Sequence, residues 1–381
     1  MKIGILTQPL GTNYGGILQN YALQTVLKRM GHEVWTVNRD IKRPAYIKYG
    51  SLIKRCIMRL LGKDIKVRVW MNKRESKMVS ANIQQFIIDY IHTTKKIYST
   101  NNLKKTNKKY LFDAYVVGSD QVWRPKYSPN IYNFFLDFIK KEKVKRIAFS
   151  ASFGVDQWDF DKVQTKKCSD LAKKFDAVSV RENTGIKLCS DYLGVSAVHT
   201  LDPTMLLDRN DYIKLIKARE LTDSNEDMLV YFLDKNKEKE KFVQHFSKEN
   251  ELKYFEIMPK TKTEINFKKT KKIDLNKLVH PPVERWLGAF QNAKFVITDS
   301  FHGAVFSIIF NKPFFVFSNA RRGNARMVSL LNTFELNERL ITEKTDFTTS
   351  NLKSEIDWDS VNKKLIIEKE KSLNFLKEFL S

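Results

Sequence analysis

The sequence predicts an α/β protein made of two successive units, each a parallel sheet covered by helices. Three observations carry this. The chain opens strand–helix–strand, the unit that builds parallel sheets. Strand-like and helical runs then keep alternating. After a polar connector, "ARELTDSNED" at 218–227, the alternation begins again.

The elements follow in order. "KIGILTQ" at 2–8 is a strand. "GGILQNYALQTVLKRMG" at 15–31 places Ile17, Leu18, Tyr21, Ala22, Val26 and Leu27 on one helical face. Lys28, Arg29 and then Gly31 are a fitting stop. "HEVWTVN" at 32–38 is the second strand, and "AYVVGS", "RIAFSAS", "AVSVRE" and "AVHTLDP" are later ones. The second unit supplies "DMLVYFLD", "YFEIMP", "KFVITDS" and "PFFVFS". Residues 358–380 form an amphipathic helix able to pack across either unit. The expected division is 1–208, 209–345 and a helical segment 346–381.

Of the 381 residues, 42% are hydrophobic and 29% charged, a soluble globular composition with a real core. "MKIGILTQ" is too short for a signal-peptide core, and no apolar run reaches membrane-spanning length. Cys56, Cys168 and Cys189 are scattered, without zinc spacing. A reduced, cytoplasmic protein without a structural metal is expected. The net charge of +24 speaks to partners rather than fold. It suits nucleic acid, an anionic membrane or small anionic substrates. No nucleic-acid reading motif accompanies it, so nucleic acid is not expected as a partner. Residues 50–75 mix cations with apolar residues at helical spacing. That pattern fits a membrane-surface helix. It also fits an ordinary surface helix resting its apolar face on the core, the preferred reading.

Four stretches could carry chemistry. "TNYGGILQNYALQ" at 12–24 joins the first strand to the first helix, where ligands of open α/β sheets bind. Gly15 and Gly16 allow close backbone approach, while Asn13 and Gln19 offer neutral hydrogen bonds. The bland alternative is a tight turn capped by Asn13. "VVGSDQVWRP" at 116–125 holds Asp120, an acid, base or helix cap, and Trp123, a sugar platform or a core residue. "SVRENTG" offers Arg181, an anion clamp or half of a surface pair with Glu182. "TDSFHGAVFSIIFNKPF" at 298–314 sets His302 at a strand-to-helix corner, with Asp299 expected to orient it and Gly303 to leave room. Downstream, Arg321, Arg322 and Arg326 surround a glycine and suggest a clamp for an anion.

Taken in order, "TNYGGILQNYALQ", "GSDQVW", "SVRE", "LDPT", "TDSFHGAVFSIIFNKPF" and "RRGNARM" resemble the polysaccharide pyruvyl transferase family. The resemblance covers residues 1 to about 335. It implies two Rossmann-like domains facing across a cleft, similar to the glycosyltransferase-B architecture. It also implies transfer of pyruvyl from phosphoenolpyruvate to two hydroxyls of a sugar, giving a cyclic ketal and phosphate. That chemistry calls for an acid, a base and anion clamps, with no metal and no cofactor. Some members carry Arg-Leu before the His. This chain has Ser300 and Phe301, which shifts the anion contacts toward Arg181 and Arg321 to Arg326.

The expected catalytic set is therefore His302, Asp120 and Asp299. The donor set is Arg181, Ser300, Arg321, Arg322 and Arg326. The acceptor set is Asn13, Tyr14, Gly15, Gly16, Gln19 and Trp123. The acceptor is a sugar of a surface-glycan precursor, carried on a lipid or otherwise, with peripheral contact at the inner membrane face as a further expectation. Two rivals stand beside this reading. One is a nucleotide-sugar glycosyltransferase of the same fold. The other is a non-catalytic protein that holds anionic glycan or nucleic acid through its charge.

Overall fold

The computed structural model describes residues 1–41, 45–61, 73–140, 143–218, 227–259, 274–319, 322–342 and 355–381. Arg321 lies outside them, as do residues 62–72 of the basic segment.

The first half runs β1 (Lys2–Leu6), α1 (Tyr14–Arg29), β2 (Glu33–Thr36), α2 (Ala45–Leu60), α3 (Lys73–Val79), α4 (Ala81–Tyr90), α5 (Thr100–Tyr110), β3 (Ala114–Val117), β4 (Lys145–Ala151), α6 (Lys162–Ala172), β5 (Ala177–Val180), α7 (Asn183–Leu188) and β6 (Val198–His199). The second runs α8 (Arg209–Lys217), β7 (Met228–Tyr231), α9 (Lys237–Glu249), β8 (Tyr254–Glu256), α10 (Val283–Asn292), β9 (Phe295–Thr298), α11 (Phe301–Ile309), β10 (Phe314–Phe317), α12 (Ala325–Phe334), β11 (Leu340–Ile341) and α13 (Trp358–Leu380).

Among the described residues every strand pair is parallel. The first sheet is ordered β2-β1-β3-β4-β5-β6 and the second β11-β10-β9-β7-β8. Strands β3, β5, β7 and β10 are buried at every position. This is what helices on both faces of a parallel sheet require, and it explains why these strands read as continuous apolar runs. Each sheet reverses its winding at one place: between β1 and β3 in the first, and between β7 and β9 in the second. Ligands of doubly wound sheets bind outside the carboxyl ends of the strands at such reversals. The loops after β1, β3 and β7 hold Asn13, Asp120 and Leu233, and His302 opens the helix that follows β9.

One core cluster joins residues of both sheets, among them Ile5, Leu18, Tyr231, Trp286 and Phe306. The ring of Tyr14 stacks on Trp286 at 5.4 Å, and its hydroxyl donates to the Pro281 carbonyl at 2.8 Å. Such a ring pair contributes about 0.5–1.5 kcal/mol beyond its burial. Arg29 forks onto Asp211 at 2.9 and 2.7 Å. Helix α13 returns to the first sheet: Val361, Leu376 and Leu380 are buried, and Ser372 Oγ accepts from the Leu201 N–H.

Candidate active site

A cleft of about 300 Å³ opens between the two sheets. Asn13, Tyr14 and Asp120 line it from the first sheet, and Asp299, Ser300, His302, Arg322 and Arg326 from the second. The strand-end loops anticipated from the sequence thus share one space.

His302 is the second residue of α11, whose N-cap Ser300 accepts from the Gly303 N–H at 3.3 Å. The imidazole is buried, and its Nε2 has no hydrogen-bond partner. The nearest acid is Asp202, with Oδ2 3.6 Å from Nε2. That is too long for a hydrogen bond. Asp202 follows β6 in "TLDPT". Its Oδ2 accepts from Arg181 Nη1 at 2.5 Å and Ser119 Oγ at 3.1 Å, and its Oδ1 from the Thr204 N–H and hydroxyl at 3.0 and 2.7 Å. Burial alone would push this carboxyl up, but His302, Arg181 and Thr204 overrule it and hold it well below the usual range. Asp202 was not among the expected site residues. Its signal was an Asp at a strand end before a proline.

Asp299 does not orient His302. Its Oδ1 accepts from the Leu233 N–H at 2.6 Å, and its Oδ2 from Asp234 N–H at 3.1 Å and Lys239 Nζ at 2.5 Å. It ties the β7 and β9 loops together. Nor is Gly303 the glycine that makes room for the imidazole, since a Cβ there would strike Thr298 Oγ1 at 2.3 Å. That glycine is Gly15, where a Cβ would lie 2.0 Å from His302 Nδ1.

Arg181 is buried behind the cleft rather than on its lining. It neutralises Asp202 and lies 3.6 Å from Asp120. The alternative of a surface pair with Glu182 is also overturned. Glu182 is fully buried, and its Oε1 accepts from the Ser152 hydroxyl and from the Phe153 and Gly154 N–H groups. The Phe301 ring lies between two cations, 4.6 Å from the Arg181 guanidinium and 5.6 Å from that of Arg326. Arg326 lines the cleft, nine-tenths buried, and its Nε has no partner. Among the described residues no carboxylate pairs with it. Burial and the neighbouring Arg181 push it down to about 10, so it stays charged at neutral pH. Arg322 is half-buried and forks onto Asp234.

Two residues expected on the acceptor side are not available there. Trp123 is fully buried, stacked on Phe135 at 5.0 Å, with its indole N–H donating to the Phe134 carbonyl. Gln19 is equally buried: its amide donates to Thr7 Oγ1 and the Gly16 carbonyl and accepts from the Ser119 N–H. It braces the turn that presents Asp120, which sits at φ 66° and lines the cleft. Asn13 precedes α1 without a capping hydrogen bond from its side chain, so capping is not its role here. Gly16 packs against the Asn13 side chain. His280, which the sequence did not single out, also lines the cleft, and burial holds it below its ordinary value and therefore neutral near pH 7.

Two facing parallel sheets with a polar cleft at both winding reversals define a two-domain α/β protein of glycosyltransferase-B architecture. Solved structures agree on the fold. An S. aureus MnaA–UDP structure aligns at TM-score 0.50 and 15% identity, covering 100% of this chain and 96% of that one. The glycotransferase of kitacinnamycin aligns at 0.50 and 10% identity, covering 100% and 99%. No curated protein matches the chain. The family model "Polysaccharide pyruvyl transferase" matches residues 13–321. The chain belongs to that family, and the class it defines is that of a transferase.

Proposed function

We propose that the protein is a cytoplasmic enzyme that moves the pyruvyl group of phosphoenolpyruvate onto two hydroxyls of a sugar in a surface-polysaccharide precursor. The products are a cyclic ketal and phosphate. The observation that supports this is Arg326, a cation buried on the wall of the cleft that His302 also lines, without a counter-ion among the described residues. A buried charge left unpaired is costly, and an anionic ligand offsets that cost. Phosphoenolpyruvate brings a carboxylate and a phosphate.

In this reading the donor lies against Arg326 and Arg322. The acceptor lies against Asn13, the backbone at 14–16 and Asp120. His302 delivers a proton to the donor's vinyl methylene, leaving cationic character on C2. One sugar hydroxyl adds to C2 and gives up its proton, with Asp120 the acid or base on that side. The C2–O bond to phosphate then breaks, and phosphate leaves with the electron pair. The second hydroxyl adds to C2, loses its proton and closes the ring.

The test is phosphate release from phosphoenolpyruvate against a panel of sugar acceptors, with product mass confirming the added pyruvyl. Arg326→Met should raise the KM for phosphoenolpyruvate by roughly 10- to 100-fold, the span of a lost charge-assisted contact. It should melt no lower than wild type, since it removes an uncompensated charge. Lys should restore only part of the affinity. Turnover with a nucleotide sugar and none with phosphoenolpyruvate would make the protein a glycosyltransferase. Turnover with neither would leave it a binding protein.

Gly15→Ala checks the placement of the imidazole. The new methyl occupies the space of His302 Nδ1. Turnover should fall by roughly 10²-fold, because small misplacements of a reacting group cost that much. A Gly15→Ala enzyme with wild-type kinetics would mean that His302 works from another position.

A further inference from the structure

Helix α2 carries an apolar stripe that the fold leaves uncovered. Ile53, Ile57, Leu60 and Leu61 recur at i, i+4, i+7 and i+8, one face of a helix and its last turn. They are 60, 51, 86 and 73% exposed. No described side chain of α2 is buried. The preferred expectation, that this face rests on the core, is therefore overturned for residues 52–61. Helix α13 shows the contrast: it too is amphipathic, and its stripe is buried through Val361, Leu376 and Leu380.

The charge around the stripe has one sign. Residues 41–63 contain Lys42, Arg43, Lys48, Lys54, Arg55, Arg59 and Lys63, and no Asp or Glu. At 100° per residue, Lys54 borders the stripe, while Arg59 falls about 145° from its centre, on the polar side of the helix. A lone aliphatic stripe on a basic helix needs a partner that is apolar within and anionic at its surface. A second copy of this chain fits poorly, because it would bring basic helices together on a protein already at +24. Nucleic acid offers the charge but no apolar interior. Among the described residues no helix is long and apolar enough to cross a membrane, so such a helix lies in the plane of the surface.

We propose that α2 is an interfacial helix that lays Ile53, Ile57, Leu60 and Leu61 into an anionic lipid surface, with Lys54 against the headgroups. This does not depend on the reaction assigned to the cleft.

The experiment is co-sedimentation of the full chain with phosphatidylcholine vesicles, with and without phosphatidylserine, at low and raised salt. Wild type should sediment with the anionic vesicles at low salt and lose most of that binding as salt screens the charges. Each Lys or Arg near the surface contributes roughly five-fold in partition. Lys54→Gln should therefore lose roughly five-fold. Ile57→Ser/Leu60→Ser leaves the charge unchanged and should lose roughly ten-fold or more. Both variants should melt like wild type, since the positions are exposed. Four results would overturn the proposal. Wild type does not sediment, or the serine pair sediments as well as wild type, so that charge alone acts. The serine pair melts much lower, so that the stripe packs on the protein. Wild type is a dimer that the serine pair splits, so that the stripe covers itself.

Discussion

His302→Ala should lower turnover by roughly 10²-fold or more, the contribution typical of a positioned proton carrier. The imidazole sits at the first turn of α11 and faces the cleft over Gly15. Its Nε2 makes no hydrogen bond in the fold, so truncation breaks none there. The loss should therefore appear in kcat, with a melting temperature close to wild type. His302→Asn keeps a polar group in place but cannot carry the proton, and should be as impaired as alanine. Phosphate release and a thermal melt on the same preparations decide. A folded variant with near-wild-type kcat would remove His302 from the chemistry, and the acid would have to be sought at Asp120 or His280.

Arg181→Met should destabilise the protein by about 3–5 kcal/mol, the usual cost of stripping one partner from a buried ion pair. Asp202 is fully buried, and among the described residues Arg181 is its one cation within 3 Å. Methionine fills similar space but leaves the carboxylate with neutral donors. The pH dependence follows from the direction of the Asp202 shift. In wild type this carboxyl titrates below its unfolded value. Its stabilising contribution is thus fully present above about pH 4 and is lost only as pH falls through the depressed folded value. In Arg181→Met burial is no longer overruled by the guanidinium, so the carboxyl titrates higher. The gap between variant and wild type should be widest near neutral pH and should narrow below about pH 4. Urea denaturation at both pH values measures it. Asp202→Asn added to Arg181→Met should recover part of the loss. A single variant as stable as wild type at neutral pH would mean that the pair is not what holds this wall of the cleft. The contrast with Arg326 is the useful one. Both arginines stack on Phe301, yet Arg181 has its carboxylate inside the fold and Arg326 has none among the described residues.

The strands of the two sheets were legible because burial on both faces writes a continuous apolar run, and α1 because its buried residues recur at helical period. β11, two residues long, carries no such signal. In helix α2 the period is right, but a period does not say whether the protein or something else covers the stripe. At the site, Asn13, Asp120 and His302 could be found because each follows a strand, and strand ends are where α/β sheets meet ligands. Asp299 was paired with His302 because the two lie three positions apart in the chain. The backbone turns between them, and the carboxylate closes on Lys239 and the β7 loop instead. Trp123 and Gln19 look like ligand contacts by residue type, and only the packing around them shows that their polar atoms are already satisfied.

The sequence by itself determined most of the strands, the first and last helices, which loops follow strand ends, and that a titratable histidine and several cations stand near those ends. These are local properties, set by side-chain period and turn chemistry over a few residues. The tertiary structure decided that Asp202, one hundred positions away, is the acid facing His302, that Gly15 rather than Gly303 makes its space, and that Arg181 serves the fold while Arg326 faces the cleft. Those outcomes depend on how two separately wound sheets face each other. Contacts across that cleft form between residues far apart in the chain, so no short stretch of sequence contains them.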